Sequence, residues 1–231
     1  MRAVVIQHEQ HEDAGLLGPE LTKVGFTLVR RFRAVERVDL DAELVVILGG
    51  SMSVAEVSQH PFLQTELAFL SERLALERPC LGICLGAQLL AASAGAQVTK
   101  GKNGFEVGIA PARWTKPGLE DAVVRGAPQR STVAHWHEDT FGPVPQATLL
   151  ASTDRYSQQA FRLGSSYAFQ FHLELTGDAW LHWLDVGAES LTAAGKDLVA
   201  LRAEAGKLRA AEAQNSQLLG RLAEHFARAM G

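Results

Sequence analysis

Short apolar runs at 3–7, 27–31 and 44–48 are separated by stretches, near 16–24 and 62–77, in which apolar residues recur every three or four positions. The first kind of run reads as a buried strand and the second as a helix. Residues 78–83 then read as a further short strand, and 87–94 as an apolar helix. This alternation predicts an α/β fold with a mostly parallel central sheet flanked by helices. From 105 onward the pattern changes to short β-rich runs at 105–113, 131–135, 148–152, 159–163 and 167–171, separated by Gly, Pro and Asp. Antiparallel strands added to one edge of the sheet are expected there. The final stretch, 177–231, lacks Pro and is dominated by Ala, Leu, Glu, Arg and Lys. Leu191, Leu198, Leu201 and Leu208 form one apolar stripe and Leu218, Leu219, Leu222, Phe226 and Met230 a second, with a weak break at Gln214-Asn215-Ser216. Two antiparallel helices packed on the domain are expected, because the heptad pattern fails beyond about two repeats. The chain thus divides into a domain at 1–186 and a helical C-terminal extension at 187–231, whose stripe would favour self-association.

The junction of the fourth strand and its helix carries Gly82-Ile83-Cys84-Leu85-Gly86. A cysteine on a sharp strand-to-helix turn, between two glycines that let backbone pass close by, is placed as a nucleophile is. The helix N-terminus favours the thiolate form. Cys80, the other cysteine, falls inside the strand and reads as buried. A nucleophile needs a base and a group to orient it. Phe169-Gln170-Phe171-His172-Leu173-Glu174 ends a predicted strand, where residues two apart share a face, so His172 and Glu174 can project together. Val45-Val46-Ile47-Leu48-Gly49-Gly50 is an apolar strand ending in two glycines, whose N–H groups can approach an oxyanion; Leu85 N–H is the natural second donor.

With these residues assembled, the chain resembles the class I (triad) glutamine amidotransferases, and within them the stand-alone proteins similar to the glutaminase domain of GMP synthase. The resemblance rests on Gly49-Gly50-Ser51-Met52-Ser53-Val54, on Gly82 to Gln88, on His135-Trp136-His137-Glu138-Asp139-Thr140-Phe141, on Gln159-Ala160-Phe161-Arg162 and on Phe169 to Thr176. It implies the flavodoxin-like fold of that family, with Cys84 as nucleophile, His172 as acid and base, Glu174 as orienter, and Gly50 and Leu85 as oxyanion donors. It further implies that Gly49, Gln88 and the segment Trp136, His137, Glu138 and Asp139 meet the substrate. Glu138 stands where the family has glycine. Glu106 and Gly108 match the family Glu-x-Gly motif, as a structural turn, a pocket wall or a contact.

Composition changes the picture little. With 231 residues, 47% hydrophobic, the chain can bury a sizeable core. A net charge of −4 and a pI near 6.1 give no basic footprint for nucleic acid. No run is long enough to span a membrane and no signal-peptide layout is present, so a cytoplasmic protein is expected. His8 and His11 read as part of a solvated loop, and neither they nor His135 and His137 are assigned to a metal; no cofactor is implied. Three readings remain open. One is release of ammonia from glutamine through a γ-glutamyl thioester, for a separate synthase. Another is hydrolysis of γ-glutamyl peptides or conjugates, and the third is a catalytically silent regulatory relative.

Overall fold

The computed structural model describes residues 1–228. Strand β1 (Arg2–Gln7), helix α1 (Leu17–Lys23), strands β2 (Thr27–Phe32) and β3 (Leu44–Ile47), helix α2 (Pro61–Ala75), strand β4 (Cys80–Ile83) and helix α3 (Leu85–Ser93) form the alternating first half. A nine-stranded sheet runs through the molecule in the order β2-β1-β3-β4-β11-β10-β9-β6-β7, where β6 is Glu106–Trp114, β7 Arg130–His137, β9 Thr148–Ser152, β10 Ala160–Leu163 and β11 Ser166–Phe169. The members from β2 to β11 are mutually parallel, and β10, β9, β6 and β7 follow in antiparallel pairs. β11 is the joint. It forms a hairpin with β10 on one side and pairs parallel with β4 on the other, at Tyr167↔Leu81 and Phe169↔Ile83. Strands β5 (Val98–Lys100) and β8 (Asp139–Phe141) form a separate ribbon, and a short helix α4 (Lys116–Glu120) follows β6.

Within the parallel half the inner strands β1, β3, β4 and β11 are buried on both faces, which is why β3 and β4 read as unbroken apolar runs, whereas the edge strand β2 is largely exposed. One face packs on α2 and α3 through Leu63, Leu70, Leu89 and Leu90; the other packs on α1 and the C-terminal helix through Leu17, Leu21, Leu222 and Phe226.

The C-terminal stretch is four helices where two were expected: α5 (Gly177–Val186), α6 (Ala188–Ala193), α7 (Leu198–Ala203) and α8 (Ala205–Arg228). The expected break at Gln214-Asn215-Ser216 is absent, and α8 is continuous through it. These polar side chains meet partners instead of ending the helix. Gln214 reaches Ser131, Asn215 Nδ2 donates to Thr132 O at 3.2 Å, and Ser216 donates to Glu20. Leu218, Leu219, Leu222 and Phe226 lie in the same core that backs the sheet, and Leu191, Leu201 and Leu208 pack with Trp180 and Trp183 in a second cluster. The apolar stripes are therefore covered by the chain's own sheet and helices. Met230 lies outside the described residues. Among those described, no helix is long and apolar enough to cross a membrane.

Candidate active site

At the carboxyl end of β4 the chain turns through Cys84 with φ 52° and ψ −108°, a conformation that a side chain makes costly and that persists only where the surroundings impose it. The surroundings are close. A Cβ on Gly86 would sit 2.0 Å from Ile47 O, and one on Gly82 2.5 Å from Gly86 O, so α3 can rest on β3 and β4 only with glycine at both positions. Cys84 N donates to Phe169 O at 2.8 Å, which ties the turn to β11. Cys84 is 7% exposed, and its sulfur lies 3.7 Å from Trp136 O. Cys80 is fully buried, and burial pushes its thiol pKa up.

His172 and Glu174 come together as expected, though not on a strand. β11 ends at Phe169, and His172 is held by an isolated bridge to Ala134 of β7, with His172 N donating to Ala134 O at 2.8 Å. His172 Nδ1 lies 2.7 Å from Glu174 Oε1, and the ring packs edge-on against Trp183 with centroids 4.9 Å apart. Its Nε2 is buried without a hydrogen-bond partner. Burial acts to lower the His172 pKa, but Glu174 and the neighbouring Cys84 thiol outweigh it and hold the pKa well above the ordinary 6.5.

The glycine turn after β3 lies beside this pair. A Cβ on Gly50 would meet His8 Cβ at 2.8 Å and Leu85 Cδ2 at 3.0 Å, while one on Gly49 would meet Glu12 Oε2 at 2.2 Å and His172 Cε1 at 3.3 Å. Leu85 opens α3, where the first N–H groups have no intrahelical partner. His8 is not in a solvated loop: it is fully buried, with Nδ1 2.9 Å from Gly49 O and Nε2 2.9 Å from Glu66 Oε2. Burial opposes its charge, yet Glu66 and the backbone carbonyls raise its pKa, so His8 braces the Gly49 carbonyl as a donor at both nitrogens.

Two cavities meet at Cys84. The larger, about 700 Å³, is lined by Gln88, Trp136, His137, Glu138 and Asp139, and by Lys196 from the loop after α6. Gln88 Nε2 donates to Asp139 O and to Gln170 Oε1, both at 3.2 Å. Asp139 accepts from Ser53, and Glu138 pairs with Lys100 at 3.1 Å. Glu106 lies behind this wall, not on it, with Oε2 2.9 Å from His137 Nε2 and accepting from Gln159 at 2.6 Å. Gly108, at φ +128°, leaves room for Glu204, which accepts from Ile109 N at 2.9 Å. Glu106, His135 and His137 form a cluster of metal-ligand type. His137 and Glu106 already satisfy one another there, and burial lowers the His135 pKa to about 4.

The smaller cavity, about 280 Å³, lies on the His172 side and is lined by Glu9, His11, Glu12, Trp183 and Val186 together with Gly50, Cys84, Trp136 and His172. The Trp183 wall here and the cation at Lys196 in the larger cavity carry no motif, and the acidic loop was expected only as a solvated one. The available signal was weak: Glu12 lies in a polar loop, and Trp183 is one aromatic on an amphipathic helix.

A family model described as glutamine amidotransferase class-I matches residues 20–184. A crystal structure of a glutamine amidotransferase from Thermotoga maritima superposes with a TM-score of 0.88 at 31% identity over 98% of both chains. A glutamine amidotransferase-like protein of Salmonella typhimurium, YfeJ, is 30% identical over 187 residues, 78% of either chain. The glutamine-hydrolysing GMP synthase of Bdellovibrio bacteriovorus is 29% identical over 132 residues, which are 57% of this chain and 23% of that protein. With its sheet order, its glycine-flanked cysteine turn and these matches, the chain belongs to the class I glutamine amidotransferase family of enzymes.

Proposed function

We propose that the chain hydrolyses γ-glutamyl amides with Cys84 as nucleophile, His172 as general acid and base, and Glu174 as its orienter. The observation that carries this reading is the buried, unpartnered Nε2 of His172, whose other nitrogen is fixed by Glu174 and whose ring lines one cavity with Cys84. Sulfur attacks the γ-carbonyl carbon, and the resulting oxyanion is held by Gly50 and Leu85 N–H groups. As the C–N bond breaks, the proton on His172 Nε2 passes to the departing nitrogen. Water, deprotonated by the same imidazole, then adds to the thioester and releases glutamate and the thiol. A raised His172 pKa suits the first of these steps, because it keeps the acid charged at neutral pH. In the larger cavity, Gln88, the 136–139 segment and Lys196 surround the α-amino and α-carboxylate end, with Lys196 as the cation for the carboxylate; Gly49, expected there from the sequence, is not in the lining of this cavity.

Glutamine is the simplest such substrate, and release of its ammonia to a synthase on a separate chain is the first reading. A second is favoured by the size of the cavity beside His172. Ammonia, about the size of water, needs about 10–15 Å³ of the space open to a water-sized sphere, whereas the His172 side of the site holds about 280 Å³, so a larger leaving amine fits there. Mass mapping after treatment with a glutamine-like chloroketone tests the shared chemistry: label should fall on Cys84 alone, and Cys84→Ser should abolish turnover. Label on Cys80, or unchanged turnover in the serine variant, would sink it. Ammonia released from glutamine, compared with amine released from γ-glutamyl amides, decides between the two substrates.

A further inference from the structure

The cavity on the His172 side is acidic and has no basic side chain other than histidine. Its geometry assigns it to the leaving group. An imidazole that protonates the departing nitrogen must face that nitrogen, and His172 lines this cavity and not the larger one beside Gln88. The α end and the amine of a bound γ-glutamyl amide therefore point opposite ways from Cys84.

Two carboxylates close the amine side. Glu9 is already matched, by Arg33 at 3.3 Å and by Ser51 Oγ, which donates at 2.6 Å. Glu12 is not. Its side chain is 13% exposed, it makes no hydrogen bond among the described residues, and its nearest basic atom is His11 Nε2 at 4.0 Å. Burial lowers the His11 pKa, so that ring does not supply a charge at neutral pH. His172 and His8 act on the Glu12 carboxyl only from beyond hydrogen-bond reach, and Glu174 and Glu9 oppose them. The loop is nevertheless fixed in place: Trp183 Nε1 donates to His11 O at 3.0 Å, and the missing side chain of Gly49 leaves the space that the Glu12 carboxylate fills. A largely buried carboxylate without a partner costs stability unless something cationic joins it. The apolar part of the lining is made by Trp183, Trp136 and the half-exposed Val186. An apolar lining beside a largely buried carboxylate with no hydrogen-bond partner is the complement of an aliphatic chain ending in an ammonium group.

We propose that this cavity is a subsite for a cationic leaving amine, so that the enzyme hydrolyses γ-glutamyl amides of aliphatic diamines, with the distal ammonium on Glu12 and the alkyl stem along Trp183. The assignment rests on γ-glutamyl hydrolysis by Cys84. The overall reaction is balanced by water alone: the amide C–N bond is cleaved, the acyl carbon gains the water oxygen, and glutamate and the free diamine leave.

The test compares substrates that share the γ-glutamyl group and differ at the far end of the amine: γ-glutamyl-diaminobutane, γ-glutamyl-butylamine, γ-glutamyl-aminobutyrate and glutamine. The cationic substrate should exceed the neutral one in kcat/KM by about tenfold or more, as expected for one well-placed charge contact in a largely buried site, with the anionic one poorest. In Glu12→Gln the ratio of cationic to neutral should fall toward one, and Glu12→Asp should keep part of it; chloroketone labelling of Cys84 establishes that each variant is folded. Equal kcat/KM for cationic and neutral substrates in the wild type, or an undiminished ratio in Glu12→Gln, overturns the subsite and leaves hydrolysis by Cys84 intact. Absence of turnover with all four substrates, together with an unlabelled Cys84, instead overturns the hydrolytic reading and the subsite with it.

Discussion

Glu12→Gln should make the unliganded protein more stable, and only at high pH. Burial is the main cause that pushes the Glu12 carboxyl from an ordinary 4.5 up to about 7; His172 and His8 pull it down, while Glu174 and Glu9 push it further up. A rise of that size corresponds to about 3 kcal/mol of disfavoured ionisation, an upper bound given that water reaches part of the group. The folded protein holds this proton more tightly than the unfolded chain does. Stability is therefore unaffected by Glu12 below the unfolded value, falls as pH rises from 4.5 toward 7, and carries the full penalty above it. Glutamine has the same shape and no charge, so it removes the penalty where the penalty exists. For a chain of this size each kcal/mol moves Tm by about 2–4 °C, so the variant should melt several degrees above wild type near pH ~8.5 and close to it near pH ~5. Circular dichroism melts without ligand, at matched ionic strength, measure this directly. A gain of equal size at both pH values, or a loss at the higher one, would refute the view of Glu12 as an unmatched buried acid. Saturating diaminobutane gives a second readout, since it should raise Tm of the wild type at high pH and leave the glutamine variant unmoved.

Replacing His172 by Asn should reduce turnover by about a hundredfold or more, the usual worth of a general acid and base. Glu174→Gln should cost less and should displace the pH profile: with the carboxylate gone, burial remains as the lowering influence, so the His172 proton is lost at a lower pH and the alkaline limb moves toward acid. An unmoved limb would separate Glu174 from His172 function. Gly86→Ala should damage both stability and reactivity, because its Cβ would lie 2.0 Å from Ile47 O and α3 must shift away from β3. Overpacking of this kind costs about 1–3 kcal/mol, and a misplacement of about 1 Å at the Leu85 N–H can cost a hundredfold in rate. Wild-type Tm together with wild-type labelling of Cys84 would show that the glycine is not needed for the turn.

The parts of the fold that were legible in the sequence are those set by local pattern. The alternation through β4 and α3 places Cys84 because strand, glycines and helix follow one another within a dozen residues. β11 was harder. Its sequence signals a hairpin with β10, and that hairpin forms, but the parallel edge with β4 is formed by a segment more than eighty positions away and leaves no mark in β11 itself. The polar triplet at 214–216 misled for the same reason. Asn215 is buried against Thr132, a partner that no period within α8 reveals. His8 sits among Gln, Glu and His in a segment that reads as solvated, and its partner Glu66 lies on the buried face of α2 between Leu63 and Phe69. A carboxylate at an apolar helical position was the one available sign that a buried cation awaited it.

The same distinction divides the site by function. The acyl half of the proposed reaction depends on a strained turn, a histidine with its carboxylate and a pair of glycines, each a compact run that fold geometry constrains and that a motif can capture. The amine half is built from a loop after β1, the inward face of α5 and the start of α6, which touch only once the C-terminal helices have packed on the sheet. Residues so dispersed need satisfy no local backbone requirement. Glu12 is such a residue: it makes no side-chain hydrogen bond to the cysteine turn, and it reaches the catalytic pair only through its charge on His172 and Glu174. On the proposed reading, discrimination among leaving amines lies in the Glu12 loop and α5, so substitutions there should change the preferred amine while the cysteine turn stays as it is.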